Sequence, residues 1–140
     1  MELITSLTNA KVKMALSLQQ KKYRDKYQLF ILEGIRNAEM VIAKNISVQM
    51  CFFTQKAFTN KRGKSILEQL KCPCFEVPEH IYQKISDTQS PQGLMLILPI
   101  QNYNLDDLAT INKSGLYLIL DRLQDPGNIG TIIRTADAMG

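Results

Sequence analysis

LFILEGIRNAEMVIAKN, residues 29 to 45, changes its hydrophobic period at a single glycine. Leu29 to Leu32 form an unbroken apolar run too short for a helix. Beyond Gly34, by contrast, Ile35, Ala38, Val41 and Ile42 recur at helical spacing. A strand followed at once by an amphipathic helix is therefore expected here, and the rest of the chain repeats the pattern. Downstream come a strand in ISVQMCFFT (46–54), a helix after Gly63 in KRGKSILEQL (61–70) and a strand in CFEV (74–77). A short helix opened by Pro78 (78–86) and a strand in GLMLILP (93–99) follow. Upstream, TNAKVKMALSLQQKKY (8–23) places Val12, Ala15, Leu16 and Gln19 on one helical face behind the candidate caps Thr8 and Asn9. Alternating strands and helices predict an α/β layer fold with mainly parallel strands, because parallel neighbours need a crossover that a helix supplies.

The composition is that of an ordinary globular chain: 140 residues, 45% hydrophobic and 21% charged. Its net charge of +4 is unevenly spread. Lys11, Lys13, Lys21, Lys22, Arg24 and Lys26 face only Glu2 and Asp25 in the first 26 residues, while the remaining 114 balance eleven basic against eleven acidic side chains. That asymmetry points to a polyanionic partner, although a solvated lysine-rich helix face would look the same. Tyr23 and Tyr27 interleave these charges, spaced either to stack on bases or to pack on one helical face. No apolar run reaches the roughly 18 residues of a membrane span and the N-terminus does not read as a signal peptide, so a cytoplasmic location is expected. Cys51, Cys72 and Cys74 suit neither a disulfide framework nor a two-pair zinc site and read as free thiols. A metal site built from Cys72, Cys74 and His80 would lack a fourth ligand.

Three stretches make up the chain, beginning with a first domain over residues 1–99. Residues 100–114, IQNYNLDDLATINKS, are polar and weakly periodic, as in a linker, with Leu105 and Leu108 allowing one helical turn. From Gly115 a new unit is expected: a strand over 116–121, a turn through Asp125-Pro126-Gly127-Asn128, and a helix over 129–139 stopped by Gly140. In the turn, Pro126 fixes one φ, Gly127 is free to take a positive one, and Asn128 is placed to cap the helix. A helix N-terminus at the carboxyl end of a strand is where open α/β sheets bind anions and other ligands. Ile129, Ile132, Ile133 and Ala136 form the stripe expected to be buried. Gly130 and Arg134 share another face, where the glycine leaves the arginine room to lean back toward the loop. The plainer alternative is a surface pair between Arg134 and Asp137. Neither G-x-G-x-x-G nor a Walker pattern is present, which weakens a nucleotide-binding reading.

LDRLQDPGNIGTIIRTADAMG, at residues 120–140, resembles the first signature motif of the SpoU (TrmH-type) RNA ribose 2′-O-methyltransferases of the SPOUT superfamily. ITSLTNAKVKMALSLQQKKYRDKYQLFILEG and SDTQSPQGL resemble that family's N-terminal opening and the segment closing its small RNA-binding domain. The resemblance implies a ribosomal-protein-like α/β domain that binds structured RNA (rRNA or tRNA), joined to a knotted SPOUT methyltransferase domain using S-adenosylmethionine and forming a homodimer. The basic excess and the Glu-Gly turn beside Arg36 make Lys21, Lys22, Arg24, Lys26, Glu33, Gly34, Arg36 and Gln92 the expected RNA contacts, and the resemblance implies catalytic roles for Asn128 as organiser of the site and Arg134 as activator of the 2′-hydroxyl. Methyl transfer demands a positioned hydroxyl and a stabilised alkoxide. A permanently charged guanidinium with five donors suits the second task better than it suits proton abstraction. The family's later motifs, which build nearly all of the cofactor pocket, are absent from these 140 residues. Residues 115–140 accordingly read as the truncated start of the catalytic domain, with no cofactor-binding residue expected in this chain. On that expectation the chain alone would act as an RNA-binding module without catalysis.

Overall fold

A computed structural model describes residues 1–104 and 117–139. The chain divides into two compact units, Met1–Gln101 and Asn102–Gly140. The first holds β1 (Glu2–Leu3), α1 (Ala10–Ser17), α2 (Lys21–Tyr27), β2 (Leu29–Glu33), α3 (Ile35–Ala43) and β3 (Met50–Phe53). It continues with α4 (Gln55–Thr59), α5 (Lys61–Gln69), β4 (Cys74–Glu76), α6 (Glu79–Ile85) and β5 (Leu94–Pro99). The second unit contains α7 (Pro126–Met139).

One sheet organises the first unit, in the order β1-β4-β3-β5-β2. β1 with β4 and β4 with β3 pair in parallel, whereas β5 runs antiparallel to both its neighbours, β3 and β2. Four strands thus run one way, as the alternating pattern predicts, and the last-made strand is inserted head-down between two of them. The expectation of mainly parallel strands holds for direction but not for pairing, since β5 pairs antiparallel with both its neighbours.

Side-chain alternation splits the core into two layers. Phe52, Met95 and Ile97 face Val12, Ala15, Leu18, Ile81, Tyr82 and Ile85 of α1, α6 and their ends. Cys51, Phe53, Leu94, Leu96 and Leu98 face Ile35, Ala38, Val41, Ile66 and Leu67 of α3 and α5. β5, an interior strand of the sheet, is buried on both faces from Leu94 to Leu98, which explains its continuous apolar run. Burying a side chain of this size stabilises by about 1.5–3 kcal/mol.

Several local expectations are corrected. The helix read over 8–23 is two helices. Asn9 caps the first by accepting from Lys11 N at 2.9 Å. The chain breaks at Leu18–Gln20, where Gln20 is extended (φ −93°, ψ 132°). Arg24 holds the break by donating to the carbonyls of Leu18 at 3.0 Å and Gln19 at 2.7 Å. α5 starts before Gly63 rather than after it, capped by Asn60. The glycine is needed inside the helix because a Cβ there would run into the Ala57 carbonyl of α4.

In the second unit, Tyr117–Asp121 is no strand. An extended segment becomes a strand only when a neighbouring ladder takes up its backbone groups, and the described residues offer none. The helix begins at Pro126, in the position where a missing N–H costs nothing. Its cap is Asp125, whose Oδ1 accepts from Gly127 N at 2.7 Å, and not Asn128. Gly127 lies inside the helix and carries no positive φ. The stripe expected to be buried is not: Ile129 and Ile132 are half-covered, and Ile133 and Ala136 are exposed. Leu105, Leu108, Leu116 and Gly140 lie outside the described residues.

Candidate nucleic-acid interface

Two surfaces of the first unit gather the residues singled out from the sequence. The first is α2. Lys21, Lys22 and Lys26 are exposed, and the rings of Tyr23 and Tyr27, one turn apart, stack with centroids 6.1 Å apart and planes 17° from parallel. Lys22 Nζ lies 5.7 Å from the Tyr23 centroid and Lys26 Nζ 5.3 Å from that of Tyr27. The rings share one helical face yet join neither core layer. A flat aromatic plate with ammonium groups above it offers π-faces to bases and positive charge to phosphates. Arg24 is spent on α1, as described above. Lys11 is likewise engaged, bonded to Glu2 at 2.9 Å with its Nζ 4.0 Å from the centre of the Phe75 ring.

A cleft of about 340 Å³ at the carboxyl end of β2 is the second surface, lined by Glu33, Gly34, Arg36, Asn37, Thr88, Ser90 and Gln92. Gly34 has φ +102°, a conformation open essentially to glycine, and its position against the Gln92 side chain leaves only 3.4 Å for an added Cβ. Gln92 Oε1 accepts from Ile35 N at 2.9 Å. The Glu33 carboxylate accepts from Ser86 Oγ at 2.7 Å, Asp87 N at 3.1 Å and Thr88 Oγ1 at 3.3 Å. Glu33 and Gln92 therefore build the wall of the cleft, while exposed Arg36 supplies its cation. Sequence reading missed Asn37, Thr88 and Ser90, which no period marks. It also missed Lys56, which ties down the same loop through Pro91 O at 3.1 Å. β2 separates this cleft from α2 by about 16 Å, the length of five extended residues.

Tyr82 is fully buried, and its hydroxyl has no hydrogen-bond partner among the described residues. Burial, and after it the charge of Glu33, pushes the phenol far above its usual range, so it stays neutral.

In the second unit Arg134 leans back over Gly130: a Cβ on that glycine would lie 3.5 Å from Nη1, an ordinary contact. Its Nη2 donates to Thr131 Oγ1 at 3.3 Å rather than pairing with Asp137. The guanidinium stays at the surface, six residues after Asn128, which is also exposed. Tyr117–Asn128 are exposed throughout, and a segment so open encloses no volume that would hold S-adenosylmethionine. The described residues of this unit therefore do not fit that cofactor by themselves.

The first unit is a three-layer α/β domain that carries a basic aromatic helix and, at one sheet edge, a polar cleft. The chain belongs to the family of the MRM3-like substrate binding domain, whose model matches residues 9–96, and with it to the SpoU/TrmH-type RNA methyltransferases. It is 33% identical over 140 residues to the 23S rRNA (guanosine(2553)-2′-O)-methyltransferase RlmP of Bacillus subtilis, covering 100% of this chain and 52% of that protein. It is 30% identical to the mitochondrial rRNA methyltransferase 3 of Xenopus laevis, covering 87% of this chain and 29% of that one. The AdoMet-bound rRNA methyltransferase of Sinorhizobium meliloti superposes with a TM-score of 0.82 at 30% identity, over 99% of this chain and 51% of that structure. The chain spans about half the length of the first of these relatives. No helix among the described residues is long and apolar enough to cross a membrane.

Proposed function

We propose that residues 1–99 are the RNA substrate-binding domain of an S-adenosylmethionine-dependent ribose 2′-O-methyltransferase. Residues 100–114 are its linker, and 115–140 open its catalytic domain. The substrate is structured RNA, rRNA or tRNA, and the whole protein works as a cytoplasmic homodimer. The observation that carries this reading is the stacked Tyr23–Tyr27 plate with Lys22 and Lys26 above it. Phosphate contacts from Lys21, Lys22 and Lys26 anchor the RNA, the tyrosines hold unstacked bases, and the Arg36 cleft engages a second segment. In the whole protein, Arg134 stabilises the alkoxide that develops at the ribose 2′-oxygen while Asn128 orders the loop beside it.

Salt-dependent RNA binding by the 140-residue chain tests the first half of this reading. Replacing Lys21, Lys22 and Lys26 by alanine together should flatten the dependence of log affinity on log salt. The expected change is about 0.7–0.9 in slope for each phosphate that no longer meets a lysine. Tyr23→Ala with Tyr27→Ala should weaken binding by about 1–3 kcal/mol per base released, with little change in slope. An unchanged slope in the lysine variant removes α2 from the interface.

A further inference from the structure

Three thiols that the RNA-binding reading leaves unused lie together at the junction of β3 and β4. Cys51 and Cys74 are register partners on these parallel strands. Both point into the same layer, where Cys51 is fully buried and Cys74 and Cys72 pack half-exposed against its edge. The loop carrying Cys72 is stitched onto β3, for Cys51 N donates to Pro73 O at 2.9 Å. Cys74 Sγ in turn reaches the Cys72 carbonyl at 3.4 Å. A cavity of about 370 Å³ lined by Val41, Asn45, Lys71 and Cys72 among others opens beside Cys72, while Cys74 reaches solvent by its own half-exposed face.

We propose that Cys51 and Cys74 form a thiol modification site, which a hydroperoxide closes into a cross-strand disulfide. Register partners on adjacent strands have Cα atoms about 4.8 Å apart. That lies inside the range a disulfide spans without moving the backbone. A bridge from Cys72 to Cys74 would instead close around Pro73 alone, whose locked φ leaves the short ring little freedom. The thiols also divide the labour. Hydrogen bonding from Cys51, then from Cys72, favours the charged form of Cys74 and lowers its pKa against the effect of burial. Its two neighbours are pushed up, each chiefly by Cys74 and then by burial. Cys74, half-exposed, is the thiol a peroxide can reach and so the nucleophile, and fully buried Cys51 is the resolving thiol.

The Cys74 thiolate attacks one peroxide oxygen, the O–O bond breaks, hydroxide leaves, and sulfur loses two electrons to become a sulfenic acid. Cys51 sulfur then attacks Cys74 sulfur, the S–O bond breaks, and the hydroxyl departs as water with the Cys51 proton. Two thiols and one hydrogen peroxide give one disulfide and two waters, and a dithiol reductant reverses the change.

Peptide mapping of the unmodified 140-residue chain decides the matter. The chain is treated with one equivalent of hydrogen peroxide, capped with N-ethylmaleimide and digested. The expected product is about 2 Da lighter before capping. It joins the peptides of Cys51 and Cys74, leaves Cys72 capped, and reverts with dithiothreitol. Cys72→Ser should keep the bridge. Cys51→Ala should replace it with a dimedone-reactive sulfenic acid on Cys74, and if that variant unfolds, the mapping of the unmodified chain stands alone. A Cys72–Cys74 bridge, oxidation of Cys72 ahead of Cys74, or three capped thiols after peroxide would each overturn the proposal.

Discussion

Gln92 Oε1 accepts the backbone N–H of Ile35 at 2.9 Å, so a residue 57 positions away in sequence caps α3. Local capping is impossible because Gly34 stands at the cap position without a side chain. Removing the acceptor with Gln92→Ala should cost about 1 kcal/mol, the usual worth of a helix cap, and Gln92→Glu should retain most of the stability. Chemical denaturation measures both. If Gln92→Ala leaves stability untouched but lowers RNA affinity, the side chain serves the ligand and not the helix.

Arg24 and its lysine neighbours should separate in the same way. Arg24→Ala frees two carbonyls at the α1–α2 break and should lower the unfolding midpoint. Its effect on the salt slope of RNA binding should be small beside that of Lys21, Lys22 or Lys26. A slope change from Arg24→Ala as large as from Lys22→Ala would place its guanidinium on a phosphate.

Tyr82→Phe should be neutral or stabilising by up to about 1 kcal/mol, because it deletes a buried hydroxyl that has no partner among the described residues and keeps the ring. A drop in stability larger than that on thermal unfolding would mean the hydroxyl is bonded in solution, with Glu33 the nearest candidate.

For Arg134, the test of the proposed role belongs in the whole protein. Arg134→Ala should depress turnover while leaving cofactor affinity nearly unchanged, the pattern of an interaction made chiefly in the transition state. Arg134→Lys should rescue little, since an ammonium lacks the planar fork of donors. Gly130→Ala should be tolerated, because its Cβ would meet the guanidinium at an ordinary contact distance. A large rise in the cofactor dissociation constant of Arg134→Ala at constant turnover would refute the assignment.

Much of the first unit was legible because its elements carry one period each. β2, α3, β3, β4, α6 and β5 all fall where alternation, apolar runs and Pro78 place them. The misreadings share a cause: the deciding contact is distant in sequence. Nothing local marks the α1–α2 break, which Arg24 fixes from the next helix. Gly63 reads as a breaker until α4 is seen pressed against it, and α4 itself is too short to show a period. The reversal of β5 is invisible in GLMLILP, which would look the same running either way. For the interface, the basic excess of residues 1–26 was visible. That Lys11 and Arg24 are consumed internally while Tyr23 and Tyr27 stack outward was not, since charge counting cannot see a partner.

Because β5 lies between β3 and β2, those two strands never touch, and β2 has no neighbour until residues 94–99 exist. During synthesis the apolar run Leu29–Leu32 therefore waits, edge exposed, while some sixty further residues are added, and such an edge invites pairing with another chain. The sheet cannot assemble strand by strand from its N-terminus; the interior strand that joins β2 to the rest is the last to arrive, and its arrival completes both layers of the core in one step. A ribosome-bound chain halted before Leu94 should be protease-sensitive along its whole length, and one halted far enough beyond Pro99 to clear the exit tunnel should be resistant from β2 onward.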